Sequence, residues 1–164
     1  MANEETPSEL ERALDAFEVG ALDGIIENKR RRDFEALCRI LCEEPATDPV
    51  RRQRAIYALG RWGDSSVVPD IVDALPRLKE SHCITAIEAL GRLGTKDARK
   101  AIERFADNPS PQVRKFVVKA LSRIGGRAAE ARLQKMVKEG RDDWVRDFAA
   151  KRMRAQADRN ADKR

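Results

Sequence analysis

The chain has 164 residues, with 33 Lys and Arg against 28 Asp and Glu for a formal net charge of +5, and is 41% hydrophobic and 37% charged. That apolar fraction is enough for one buried core and excludes a disordered chain. No run of about 18 uncharged apolar residues occurs and "MANEETPSEL" has no apolar segment behind a positive flank, so neither a membrane span nor a signal peptide is expected and the expected location is cytoplasmic.

The eight aromatic residues are outnumbered by Ala, Leu, Ile, Val, Arg, Lys and Glu, a composition of helix formers that predicts an all-α chain. Charge is unevenly placed. From Met1 to Glu27 there are eight acids and one base, Arg12, whereas bases exceed acids afterwards. An acidic capping helix is expected over residues 1–20, where Ser8 and Glu11 have the spacing of a capping box.

Next comes a weak first unit, with Leu22, Ile25 and Ile26 before Arg30 and with Ala36, Leu37, Ile40 and Leu41 after it. The basic run "NKRRRD" at 28–33 falls in the turn inside this unit, where exposed charge is expected. Cys38 and Cys42 lie one helical turn apart and, with Cys83, make an odd number, which points to reduced thiols rather than a disulfide framework. His82 and Cys83 open the helix two units on, too far along the chain to share an ion with the first pair. No metal or other cofactor is expected.

The turn stretch "EPATDP" at 44–49 leads to the clearest feature of the chain. "ALGRWG" at 58–63 recurs as "ALGRLG" at 89–94 and "ALSRIG" at 120–125, a period of 31 residues. Ahead of each copy the apolar residues fall on one helical face: Ala55, Ile56 and Leu59, then Ala86, Ile87 and Leu90, then Val117, Val118 and Leu121. Behind each copy Gly63, Gly94 or Gly125 suits the left-handed residue that ends a helix. A second amphipathic pattern follows each glycine, so each unit reads helix, tight turn, helix. Asp48 before Pro49 and Ser110 before Pro111 fit an N-cap followed by proline at the first helical position. After the last pair, "WVRDFAAKRMRA" matches "QVRKFVVKALSR" and predicts a helix that opens a further unit. Residues 156–164, with almost no apolar content, are expected to form a disordered basic tail.

The segments "VRRQRAIYALGRWGDSSVVPDIVDAL", "CITAIEALGRLGTKDARKAIERFA" and "VRKFVVKALSRIGGRAAEARLQKMV" resemble the short HEAT-like repeat, the variety named after phycobilisome lyases. The resemblance covers residues 21–155. It implies a right-handed α-solenoid of about four helical pairs plus a capping helix, with first helices on the convex side and second helices lining a concave side.

Two sets of residues are candidates for function. Arg30, Arg61, Arg92 and Arg123 form a column at the 31-residue step. As a ladder of guanidiniums they suit an anionic linear partner; as structural residues they favour the helix C-terminal dipole and pair across the turn with Asp33, Asp64 or Asp97. The second-helix columns are the other set. At the fifth, ninth and tenth positions after each turn glycine stand Val68, Val72 and Asp73, then Arg99, Glu103 and Arg104, then Glu130, Gln134 and Lys135, with Leu37 and Leu41 assigned to the first two positions in the first unit. With Lys100 these charged residues form a patch expected to bind another protein, against the bland reading of a solvated face with exposed ion pairs. Trp62 stands where Leu93 and Ile124 stand in the other copies and reads as core; Trp144 lies near the C-terminal cap.

No G-x-S-x-G, P-loop or HExxH motif appears. The expected function is a non-catalytic adaptor or scaffold, a monomer or weakly self-associating. Two alternatives are a lyase or chaperone-like subunit acting on a chromophore-bearing protein, which the resemblance implies, and nucleic-acid binding along the arginine edge.

Overall fold

The computed structural model describes residues 7–16, 18–42 and 48–161. Helix α1 (Glu9–Asp15) begins at Ser8, whose hydroxyl accepts from the Glu11 amide at 3.2 Å while its own amide donates to the Glu11 carboxylate at 2.6 Å. A 3₁₀ turn over Val19–Leu22 leads into α2 (Asp23–Asn28). Four helical pairs follow one another: α2 with α3 (Arg31–Cys42), α4 (Pro49–Trp62) with α5 (Val68–Ala74), α6 (Glu80–Leu93) with α7 (Lys96–Glu103), and α8 (Pro111–Ile124) with α9 (Gly126–Glu139). Helix α10 (Asp143–Ala161) then packs on both α8 and α9.

The boundaries have local causes. Asp48 accepts from the Val50 amide at 2.9 Å and Ser110 from the Val113 amide at 3.4 Å, each ahead of a proline at the first helical position. Residues 44–47 of the predicted turn lie outside the described residues. Helices α4 and α6 end on Gly63 at φ +85° and Gly94 at φ +69°, the left-handed conformation that glycine adopts without a Cβ penalty.

Helices α4, α6, α8 and α10 lie side by side in one layer, and α3, α5 and α7 in a second, so the chain is an α-solenoid, and no strand occurs among the described residues. The second helices supply a repeated core position: Leu37 on α3, Ile71 on α5, Ile102 on α7 and Leu133 on α9 are each 0% exposed. The last three are 31 residues apart, whereas Leu37 precedes Ile71 by 34. The first unit is therefore out of step with the rest. Its turn residue is Lys29, at φ +46°, and Arg30 follows that turn instead of lying in the last turn of a first helix. This corrects the 31-residue register that placed Arg30 in a column with Arg61. It also moves Leu37 and Leu41 out of the surface columns into the core, with Phe34, Cys38 and Arg39 taking those places.

The first layer closes through small residues. A Cβ added to Gly60 would come within 2.5 Å of the Ala89 Cβ, and one added to Gly91 within 2.8 Å of the Ala120 Cβ. The alanine and the first glycine of "ALG" are thus two sides of one helix crossing, repeated from unit to unit. A second correction concerns the C-terminus: α10 continues through Ala161, so residues 156–161 are helical and not a disordered tail. Docking on α8 and α9 removes the nucleation cost, and Ala155, Gln156, Ala157 and Arg159 propagate the helix without needing to bury apolar surface.

Candidate protein-binding face

The charged residues singled out in the sequence lie on the second helices α7 and α9. Arg99 and Glu103, one turn apart on α7, are ion-paired and both partly buried. Lys100 lies 3.7 Å from Asp97 and Lys135 3.7 Å from Glu139, each pair along its own helix and exposed. Glu130 is half-buried and Gln134 is exposed on α9. Arg104, just past the end of α7, is exposed, and among the described residues no carboxylate reaches it. Most of the predicted binding charge is thus spent within the helix that carries it, and pairs of this kind contribute little to stability.

Arg104 differs because of what lies beside it. With Val72, Leu75, Pro76, Ala101 and Phe105 it lines a cleft of about 210 Å³ between α5 and α7. The cleft lies where both helices end: Pro76 turns the end of α5 into a 3₁₀ turn over Leu75–Arg77, beside the end of α7 at Glu103. Val72 and Phe105 are half-buried and packed against the core. An apolar floor with one free guanidinium at its rim suits an apolar side chain followed closely by a carboxylate. Periodicity named Val72 and Arg104, but Phe105 and Pro76 join them only through the stacking of α5 on α7.

Toward α3 the same layer turns acidic. Cys38 is pushed up to about 11, first by burial and then by Asp70, Cys42, Asp64 and Glu35. Cys42 is raised by burial and by Asp70 and Asp73, and Cys83 is pushed up to about 11 by burial and Glu80. None of the three is a thiolate at neutral pH, and all are free. Among the described residues no three His, Cys, Asp or Glu side chains gather to hold a metal ion.

The arginine column has a different character from either reading of the sequence. Arg30 binds Glu9 of α1 at 3.0 Å, and Arg61 binds Asp23 of α2 at 3.0 Å and the Tyr57 hydroxyl at 2.9 Å. Arg92 lies over the Tyr57 ring, 5.9 Å from its centroid. Partners therefore sit on the preceding element and not across the turn. Asp64 instead accepts from the Ser66 amide at 2.9 Å, which holds its carboxyl below the usual range, and Asp97 faces Lys100. Asp33 is buried, 3.7 Å from Arg32. Arg51 adds an ion pair with Asp15 at 3.2 Å, and Arg54 donates to the Leu14 carbonyl. The acidic N-terminal helix is in this way clamped by arginines of the first layer. Trp62 is buried, its ring 5.6 Å from that of Phe34, whereas Trp144 is 42% exposed.

Residues 78–154 match the family model of HEAT repeats. No functionally curated protein matches the chain. Among solved structures, a chain of the complex of CpcE and CpcF of phycocyanin lyase from Nostoc sp. PCC7120 aligns with a TM-score of 0.65 at 21% identity, over 93% of this chain and 66% of that one. This chain thus spans just under two thirds of the length of that relative, and the likeness at this identity is one of fold. Among the described residues no helix is long and apolar enough to cross a membrane.

Proposed function

We propose that this HEAT-like repeat protein is a non-catalytic adaptor that takes a segment of another protein against its second-helix layer, in the cleft between α5 and α7. The observation that carries the reading is the apolar floor of half-buried Val72 and Phe105 and buried Leu75 beside the free guanidinium of Arg104. Arg99 and Lys135 support it less, because each already holds a carboxylate on its own helix. A photo-crosslinking residue at Val72 is expected to capture a defined protein from native lysate, with the adduct lost in Arg104→Glu and retained when Lys100→Glu is introduced instead. Equal capture by wild type and Arg104→Glu overturns the reading.

A second reading rests on the likeness to a chain of the phycocyanin lyase complex. A subunit that handles a chromophore-bearing protein would use the same face to hold its client. Transfer of pigment to a bilin-accepting protein in a reconstituted assay, with and without this chain, separates it from a plain adaptor.

A further inference from the structure

The outer face of the first layer carries charge that the fold does not neutralise. In the N-terminal half, Arg30, Arg51 and Arg61 are answered by Glu9, Asp15 and Asp23. In the C-terminal half Arg114 and Arg146 are answered by Asp142 and Asp143, and Lys119 by Glu88, but Arg123 and Arg152 are not. Lys119, Arg123 and Arg152 converge on a depression of about 60 Å³ whose floor is Gly91 and Ala120, with Glu88 as the one acid on its rim. Glu88 is bonded to Lys119 at 3.1 Å. Among the described residues Arg123 is exposed with no carboxylate in reach, and the Nε of Arg152 is buried without a hydrogen-bond partner. Like charges gathered at one spot repel one another, and a bound anion relieves the cost.

The repeat itself shows that this is not a property of the architecture. The matching offset of 32 between α8 and α10 puts Arg152 at the position held by Ala120, and by Ala58 and Ala89 in the earlier units. A residue suited only to stacking would be small there. Arg152 instead leans over the Phe148 ring, its guanidinium carbon 6.0 Å from the centroid. The site is continuous with an aromatic surface: Lys115 lies 5.8 Å from the Phe148 centroid and 5.9 Å from that of the exposed Trp144. Trp144, Phe148 and Arg152 are spaced i, i+4 and i+8 on α10, so ring, ring and guanidinium follow one line about 12 Å long.

Cations that converge on one small anion and a neighbouring open indole are the two elements of single-strand recognition, phosphate neutralisation and base stacking. We infer that the outer face of α8 and α10 binds single-stranded nucleic acid, with Lys119, Arg123 and Arg152 around one phosphodiester and a neighbouring base stacked on Trp144. An acidic protein segment would use the cations but has no need of the exposed indole. The face lies on the layer opposite the proposed protein-binding cleft, and neither proposal depends on the other.

The test is titration of the full chain with short oligothymidylate and oligouridylate, read by tryptophan fluorescence and by anisotropy of the labelled strand over a salt series. Trp62 is buried, so quenching on binding reports Trp144. The expected slope of log K against log salt is about −0.7, from one neutralised phosphate of a single strand. Arg123→Glu with Arg152→Glu is expected to weaken binding at least about tenfold and flatten that slope, and Trp144→Leu to weaken it about fivefold or more. Arg123→Glu alone, on an exposed side chain, keeps the test valid if the double variant does not fold, and is expected to lose at least about threefold. Absence of quenching by either strand at low salt overturns the inference. So does competition by polyglutamate as effective as that of the strand, with Trp144→Leu binding unchanged, which marks the face as a dock for acidic protein.

Discussion

The glycine of "ALG" and the glycine that closes each copy do unrelated jobs. Gly63 and Gly94 permit a left-handed turn, whereas Gly60 and Gly91 permit two helices to touch. At Gly60 the nearest atoms to an added methyl are the Ala89 Cβ at 2.5 Å and Cα at 2.6 Å, backbone-bound atoms that cannot swing aside. Gly60→Ala is therefore expected to destabilise the protein by about 1–3 kcal/mol even though alanine is the better helix former, because α4 and α6 must separate. Chemical denaturation checks this; unchanged or raised stability would show that the layer tolerates separation. Arg114 is a second residue whose role is not evident from its neighbours in sequence. It is 3% exposed, donates to the carbonyls of Asn108 and Pro109, and pairs with Asp142 ahead of α10. Arg146 repeats the device, donating to the Gly140 carbonyl at 2.8 Å. In each case an arginine in the first turn of a helix ties down the loop that led into it.

Among the elements, α2–α3 and α10 depart most from the repeat. In the first unit a buried Asp33 occupies the core place that Val67, Ala98 and Ala129 hold elsewhere, and α1 packs on α2 and α4. At the other end α10 buries Val145 and Ala149 against α8 and α9 and supplies the neighbourhood of Asp142 that answers Arg114. Solenoids need such terminal covers, since each unit exposes a hydrophobic face until the next is stacked on it. A chain ended after Gly140 is expected to lose about 3 kcal/mol or more and to aggregate on heating. Circular dichroism melts with light scattering decide it, and a truncated chain as stable as the full one would show that α10 is not a cover.

At the scale of the molecule, contacts run between neighbouring units and stability is close to a sum of unit and interface contributions. A lesion at one interface should be felt on both sides of it and fade beyond. Gly91→Ala, placed between α6 and α8, is expected to raise amide exchange in those two helices while α2 and α3 keep most of their protection; uniform loss along the chain would instead indicate a single cooperative core. The same linear order sorts the charges. Acids of α1 and α2 are spent against first-layer arginines near them, whereas Arg123 of α8 and Arg152 of α10, farther along the solenoid than those acids reach, remain for partners.

The helical pairs, their caps at Ser8, Asp48 and Ser110, and the left-handed turns at Gly63 and Gly94 were legible from the chain alone, because each depends on residues within a few positions of one another; Gly125, expected to match them, instead closes α8 at φ +68° and ψ −166°, outside the left-handed helical region. The period of 31 in the last three units was legible for the same reason: equivalent residues meet equivalent surroundings in every copy. Only the tertiary structure decided the rest. The first unit keeps its core column at a step of 34, a shift hidden by the chance arrival of Arg30 at the expected interval. Which charges are answered, which apolar side chains line a cleft and which arginine stands in an alanine's place depend on helices about 30 residues apart being brought side by side, and hydrophobic periodicity says which face of a helix is buried but not what it is buried against.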